Sequence, residues 1–239
     1  MIGIIGAMQV EIEGLKAMLS EPKTETVSGI DFISGRLGQT SVVLAVCGVG
    51  KVFAALCAQT MILRYPVDAV INTGVAGTLC RALGIGDVAI SSDVVQHDMD
   101  TAGLGDPVGM ISGIDIIHIP ASRTMAALVE EIAKEEGCRS ITGTIATGDQ
   151  FLCDRERKNW IRSTFNAIAG EMEGGSIGQV CYVNKVPFVI IRAISDDADG
   201  NAPEDFPAFV EQVTHTSIRI TARAAAAVQE RIDHEQSLD

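Results

Sequence analysis

Val186-Pro187-Phe188-Val189-Ile190-Ile191-Arg192-Ala193-Ile194-Ser195-Asp196-Asp197-Ala198-Asp199 opens as a run of apolar, β-favouring residues and closes, within two residues of the last isoleucine, in a cluster of carboxylates. An uninterrupted apolar run predicts a strand buried on both faces of a sheet. Such a strand has no reason to finish in acids unless they meet water, a cation or a substrate. In open α/β sheets the carboxyl end of a strand is where ligands bind. Asp196, at the lip of the strand, is therefore the expected chemical centre, and the remaining sequence is searched for its partners.

The chain of 239 residues, 47% of them apolar, is long enough to bury a sizeable core. Its net charge of −13, with no Lys or Arg run, excludes nucleic acid as a partner, because phosphate backbones need basic patches. The six cysteines show no CxxC and no metal-ligand spacing, which predicts reduced thiols in a cytoplasmic protein. Met1-Ile2-Gly3-Ile4-Ile5-Gly6 lacks the basic start of a signal peptide, and no apolar run is long enough to span a bilayer, so no membrane partner is expected.

Outward from residue 186, strand and helix patterns alternate. Short apolar runs predict strands at 2–6, 27–35, 41–47, 69–72, 87–95, 140–147 and 167–172. Helical spacing predicts helices at 10–19, 51–64, 122–136, 155–163, 173–184 and 204–234, with Ser122 as an N-cap and Gly137 as a stop. Residues 101–120 are rich in glycine and turn formers and read as a loop. With no composition break, the reading is one α/β domain over 1–239: three layers, with a central mixed, mostly parallel twisted sheet flanked by helices and a frayed C-terminus.

Several predicted strands end in small or acidic clusters, each of which alone is ordinary turn composition. Gly48-Val49-Gly50-Lys51 has the tail of a P-loop, but Ala45 stands where its first glycine belongs and Val52 where Ser or Thr belongs. Gly3-Ile4-Ile5-Gly6 lacks dinucleotide-fingerprint spacing. His97-Asp98 and Asp196-Asp197 offer cation ligands without zinc spacing. No nucleotide cofactor and no metal are expected. What remains is carboxylate chemistry from Glu11, Glu171, Glu173 and Asp196. An acid and a base flanking a bond is the logic of glycoside hydrolysis. Asp196, with a buried strand behind it and Asp197 beside it, suits the protonated role. Glu11, at a helix start, suits the ionised one.

The motifs also occur together in one known family. Gly3-Ile4-Ile5-Gly6-Ala7-Met8 with Glu11, Gly48-Val49-Gly50-Lys51-Val52, Asn72-Thr73-Gly74-Val75-Ala76-Gly77, Thr147-Gly148-Asp149-Gln150-Phe151, Glu171-Met172-Glu173-Gly174 and Arg192-Ala193-Ile194-Ser195-Asp196 stand in its order. The chain resembles the 5′-methylthioadenosine/S-adenosylhomocysteine nucleosidases of the nucleoside phosphorylase superfamily, from residue 1 to about residue 230.

The resemblance implies that Asp196, supported by Ser195, protonates a purine nitrogen, and that Glu11 activates the attacking water. It implies that Phe151 stacks on the base and the Leu152 main chain reads its edge. Glu173 would accept from both ribose hydroxyls, Met172 would pack under the sugar, and Met8 and Phe206 would line the 5′-thioether pocket. Arg192 would orient the carboxylates, Glu171 among them, and Val75, Ala76 and Gly77 would line the site. A nucleoside partner, no cofactor and a homodimer are implied, with the 101–113 loop contributing to the partner's pocket. Val75 stands where the family commonly has serine, Leu104 where a partner subunit often offers an aromatic, and Thr78 where glycine is common. The alternatives are a purine nucleoside phosphorylase, for which Arg36, Arg64 and Arg81 are the candidate phosphate ligands, and a hydrolase of another 5′-substituted nucleoside such as 5′-deoxyadenosine or futalosine.

Overall fold

The computed structural model describes residues 1–196 and 206–238, without the side chains of 206–213. Asp197, Asp199 and the loop expected at 200–203 lie outside the described residues. The strands are β1 (Ile2–Gly6), β2 (Ser20–Val27), β3 (Ile30–Leu37), β4 (Thr40–Val46), β5 (Ala69–Thr78), β6 (Val88–Gln96), β7 (Ile119–Pro120), β8 (Ser140–Thr147), β9 (Ala167–Glu171) and β10 (Phe188–Asp196). The helices are α1 (Gln9–Ala17), α2 (Lys51–Arg64), α3 (Arg123–Glu135), α4 (Arg155–Phe165), α5 (Gly174–Asn184) and α6 (Phe206–Asp233).

All ten strands join one mixed sheet. β1, β4, β5 and β10 run parallel to one another, as do β6, β8 and β9. The two groups run in opposite senses. β5 pairs with β9 only through the registers Gly77↔Gly170 and Thr78↔Ala169, close to the carboxyl ends of both strands. β10 also pairs with β6, so β5, β10, β6, β8 and β9 close a ring. The tip-to-tip meeting of β5 and β9 gathers the carboxyl ends of both groups at one place, which creates the site.

β10 is buried along its whole length, as its apolar run predicts. β5 continues through Thr78, where the sequence reading ended the strand at 72. Thr73, Gly74, Val75 and Ala76 have ladder partners on β10, and those hydrogen bonds override turn composition. β2 was not anticipated, because its residues are polar, mostly exposed and include Pro22. That is edge-strand chemistry, without apolar alternation.

Helices cover both faces. α1, α3 and α6 pack over one side around Ile4, Leu15, Ile71, Val129 and Val228. α2 packs on α5 over the other side, with Met61, Cys57 and Ile177 at the contact. Each fully buried Ile or Leu in these layers contributes roughly 1.5–3 kcal/mol relative to exposure. Ser122 accepts from Met125 N at 3.0 Å and caps α3. Leu238 lies close to the end of the chain. Its side chain is buried, and its carbonyl accepts from the Ser122 hydroxyl, so the tail is tied to the start of α3.

Candidate active site

A cavity of about 230 Å³ opens where the strand ends converge. Its wall takes Met8 and Glu11 from the β1–α1 junction, Val75, Ala76 and Gly77 from β5, Phe151 and Leu152 from the segment after β8, Glu171, Met172 and Glu173 from the β9–α5 junction, and Ser195 and Asp196 from β10. Arg192 stands behind it, fully buried. The residues that the resemblance assigns to the nucleoside site are thus brought together, except Phe206, which begins α6 and whose side chain lies outside the described residues.

Glu11 occupies the third position of α1, and its carboxylate folds back to cap that helix. Oε2 accepts from Ala7 N at 2.7 Å and Met8 N at 2.9 Å, and Oε1 accepts from Val75 N at 3.2 Å. The helix terminus and these amides favour an ionised group. Burial outweighs them, and also outweighs the opposing charge of Arg192, so the Glu11 carboxyl is held above its ordinary value. The sequence reading considered only the helix dipole and missed this desolvation. A raised carboxyl is the stronger base. A Cβ at Gly74 would meet Glu11 Oε1 at 2.6 Å and collide with Arg192, so only glycine lets strand β5 pass here.

Arg192 is the hub. Its Nη2 donates to Asn72 Oδ1 at 2.6 Å and to Glu171 Oε2, and stands 3.6 Å from Glu173 Oε2. Burial alone works against its charge, but Glu171, Glu173 and Glu11 more than restore it. Glu171 Oε2 also accepts from Glu173 N at 3.0 Å and Gly174 N at 2.7 Å, capping α5, and its other oxygen takes the Thr147 hydroxyl. Glu173 accepts from Gly50 N at 2.9 Å. Burial, then the neighbouring charge of Glu171, push Glu173 up to about 7.

Asp196 meets Ser195, as the resemblance implies, and also a cation that the sequence reading does not include. Lys158 Nζ, itself buried, donates to Asp196 Oδ2 at 2.8 Å, and the Ser195 hydroxyl lies 3.2 Å from Oδ1. Lys158 was missed from the sequence, although a signal existed. Lys158, Ile161 and Phe165 are the buried residues of α4, at positions i, i+3 and i+7, so Lys158 falls on the apolar face. Asn72 was missed as well. It is a polar residue closing the apolar run Ala69–Ile71, its Nδ2 donating to Ile5 O at 2.9 Å while Oδ1 holds Arg192. Val49 and Gln150 complete the rim beside Phe151, which is 65% exposed.

The arrangement is a pocket with four carboxylates, three of them (Glu11, Glu171 and Glu173) held against backbone amides, and no Arg or Lys among its described lining residues. The arginines considered for phosphate lie elsewhere. Arg36 bonds to Gln39 in the β3–β4 turn, Arg64 pairs with Glu25, and Arg81 is exposed and absent from the wall. Such a site can hold a polyhydroxylated ring by its hydroxyls, present an acid to one side of a bond, and present a base to the other.

Comparison with known proteins agrees in sequence and in structure. The phosphorylase superfamily matches residues 1–227. The chain is 39% identical over 217 residues to a 5′-methylthioadenosine/S-adenosylhomocysteine nucleosidase of Shewanella pealeana, covering 90% of this chain and 94% of that one. It superposes at a TM-score of 0.89 and 36% identity on a Helicobacter pylori nucleosidase mutant with 5′-methylthioadenosine in the active site, covering 95% and 98% of the two chains. A Helicobacter pylori structure described as a futalosine hydrolase mutant gives the same TM-score, identity and coverage. A Neisseria meningitidis nucleosidase in complex with methylthio-immucillin-A gives 0.90 and 33%, again with 95% and 98% covered. With motifs, sheet topology and pocket in agreement over nearly its whole length, the chain belongs to the phosphorylase superfamily, among the 5′-methylthioadenosine/S-adenosylhomocysteine nucleosidases.

Proposed function

We propose that the protein hydrolyses the N-glycosidic bond of 5′-methylthioadenosine and S-adenosylhomocysteine, releasing adenine and the 5-thioribose product. One observation carries hydrolysis over phosphorolysis: the pocket wall holds Glu11 on three amides and offers no described Arg or Lys to a phosphate dianion.

The purine lies against Phe151, with the Leu152 main chain at its edge. Glu173 accepts from the 2′- and 3′-hydroxyls, and Met172 packs under the sugar. Met8 takes the 5′-thioether. Asp196, with Ser195 beside it, gives a proton to the purine nitrogen as the C1′–N9 bond breaks and its electron pair passes to the base. Adenine then departs neutral. Glu11 takes a proton from water as the water oxygen bonds to the oxocarbenium-like C1′. Acid and base steps each contribute about 10²–10⁴-fold. Arg192 keeps Glu171 and Glu173 in place without touching substrate.

The protein works as a cytoplasmic homodimer in this reading. Supporting the dimer, α2 exposes Val52, Phe53 and Leu63, and Leu104 in the 101–113 loop is 86% exposed. No helix among the described residues is long and apolar enough to cross a membrane.

A second reading, a bulkier 5′ substituent, is favoured by the equal overlap with the futalosine hydrolase structure. Parallel measurements of kcat/KM for methylthioadenosine, adenosylhomocysteine, 5′-deoxyadenosine and futalosine decide between the two. Preference for the thioethers supports the first reading, and preference for futalosine overturns it.

A further inference from the structure

α4 delivers a lysine to the end of β10. Lys158 is 3% exposed, and its stem shares a helix face with Ile161 and Phe165, which pack against Leu79, Val95, Ala146 and Ala167. An ammonium carried into such surroundings is costly unless a partner meets it. Its Nζ donates to Asp196 Oδ2 at 2.8 Å, and both groups are buried. A structural ion pair alone is a weak reason to keep a cation there, since apolar residues of similar volume commonly stabilise as well or better. The contact falls on the one carboxyl that the proposed reaction needs as an acid.

We infer that Lys158 is a positioning residue for the acid step, a statement that rests on the nucleosidase reading. Its ammonium fixes Oδ2, so that the Asp196 carboxyl is not left to turn on the 3.2 Å contact with Ser195. When the Asp196 proton passes to the purine nitrogen and the C1′–N9 electron pair passes to the base, the carboxylate left behind already faces a cation. Charge thus develops where a fixed countercharge waits. An acid depending on apolar burial alone makes the opposite prediction, because it works as well or better without the lysine.

The test uses two substrates: methylthioadenosine, whose base must be protonated to leave, and the 4-nitrophenyl glycoside of 5-methylthioribose, whose phenolate leaves without protonation. Lys158→Met is expected to lower kcat on methylthioadenosine by about 10–100-fold while changing the nitrophenyl glycoside by less than about 3-fold. Lys158→Arg is expected to recover part of the loss. In the Asp196→Asn background, Lys158→Met is expected to cost no more than about 3-fold further, because the two act as one unit. Equal losses on both substrates would mean a merely structural role and overturn the inference, as would an unaffected Lys158→Met enzyme. If Lys158→Met does not fold, Lys158→Gln is read by the same ratio of substrates. Wild-type protein inactive on methylthioadenosine removes the nucleosidase reading and this inference together, whereas an active wild type with equal losses removes this inference alone.

Discussion

The amide of Gly50 donates to Glu173 Oε1 at 2.9 Å, tying the N-terminus of α2 to a carboxylate of the pocket wall. Even with this bond and with Arg192 nearby, burial and the charge of Glu171 push Glu173 up to about 7 from 4.5. A carboxyl raised in the folded state stabilises fully below its unfolded value, and that contribution is lost as pH rises through the folded one. Glu173→Gln removes the titration. The melting temperature of Glu173→Gln minus that of wild type should therefore rise between about pH 4.5 and about pH 8. A difference that stays flat over this range would contradict the assignment.

Glu11 must be ionised to take a proton from water. Burial holds its carboxyl above 4.5 against Arg192 and three amides. The acid limb of the kcat/KM profile should therefore lie above that ordinary value, with activity gained as pH rises through it. Glu11→Gln should lose about 10²–10⁴-fold in kcat while melting close to wild type. A Gln variant with near-normal turnover would remove Glu11 from the base role.

Arg192 neutralises a buried cluster of carboxylates. Arg192→Met leaves Glu171, Glu173 and Glu11 facing one another in the interior, and breaking such a buried arrangement costs about 3–5 kcal/mol. Arg192→Lys should restore little, because a compact ammonium cannot serve Asn72 and Glu171 as the planar guanidinium does. Urea unfolding measures both variants. A Met variant within about 1 kcal/mol of wild type would show that the cluster does not depend on its cation.

Much of this was legible in the sequence because it is written in local signals. β10 reads as buried because nothing polar interrupts it until Arg192. Ser122 and Gly137 mark the ends of α3 by cap chemistry. Glu11, Glu171, Glu173 and Asp196 stand out because each follows an apolar run at a strand end. The hidden parts depend on distance. The length of β5 is set by its ladder to β10, the raised carboxyl of Glu11 by packing around it, and the Lys158 contact by a side chain that meets the end of a strand 38 residues later. No local pattern carries those facts. Lys158 came nearest to being found, since a lysine on the apolar stripe of a helix asks for a partner.

The exposed apolar side chains of α2 predict the assembly. Light scattering should return a mass of about 50 kDa, twice the 25.2 kDa of one chain. Val52→Asp, which places a charge on a residue that is 78% exposed, should shift the protein toward the single-chain mass without unfolding it. A wild-type mass near that of one chain would contradict the dimer.

The most direct measurement of the central claim is adenine release from methylthioadenosine in phosphate-free buffer, with and without added phosphate. The account predicts free adenine at a rate that phosphate does not raise, lost in both Glu11→Gln and Asp196→Asn. No adenine from folded protein, or adenine only after phosphate is added, would contradict it.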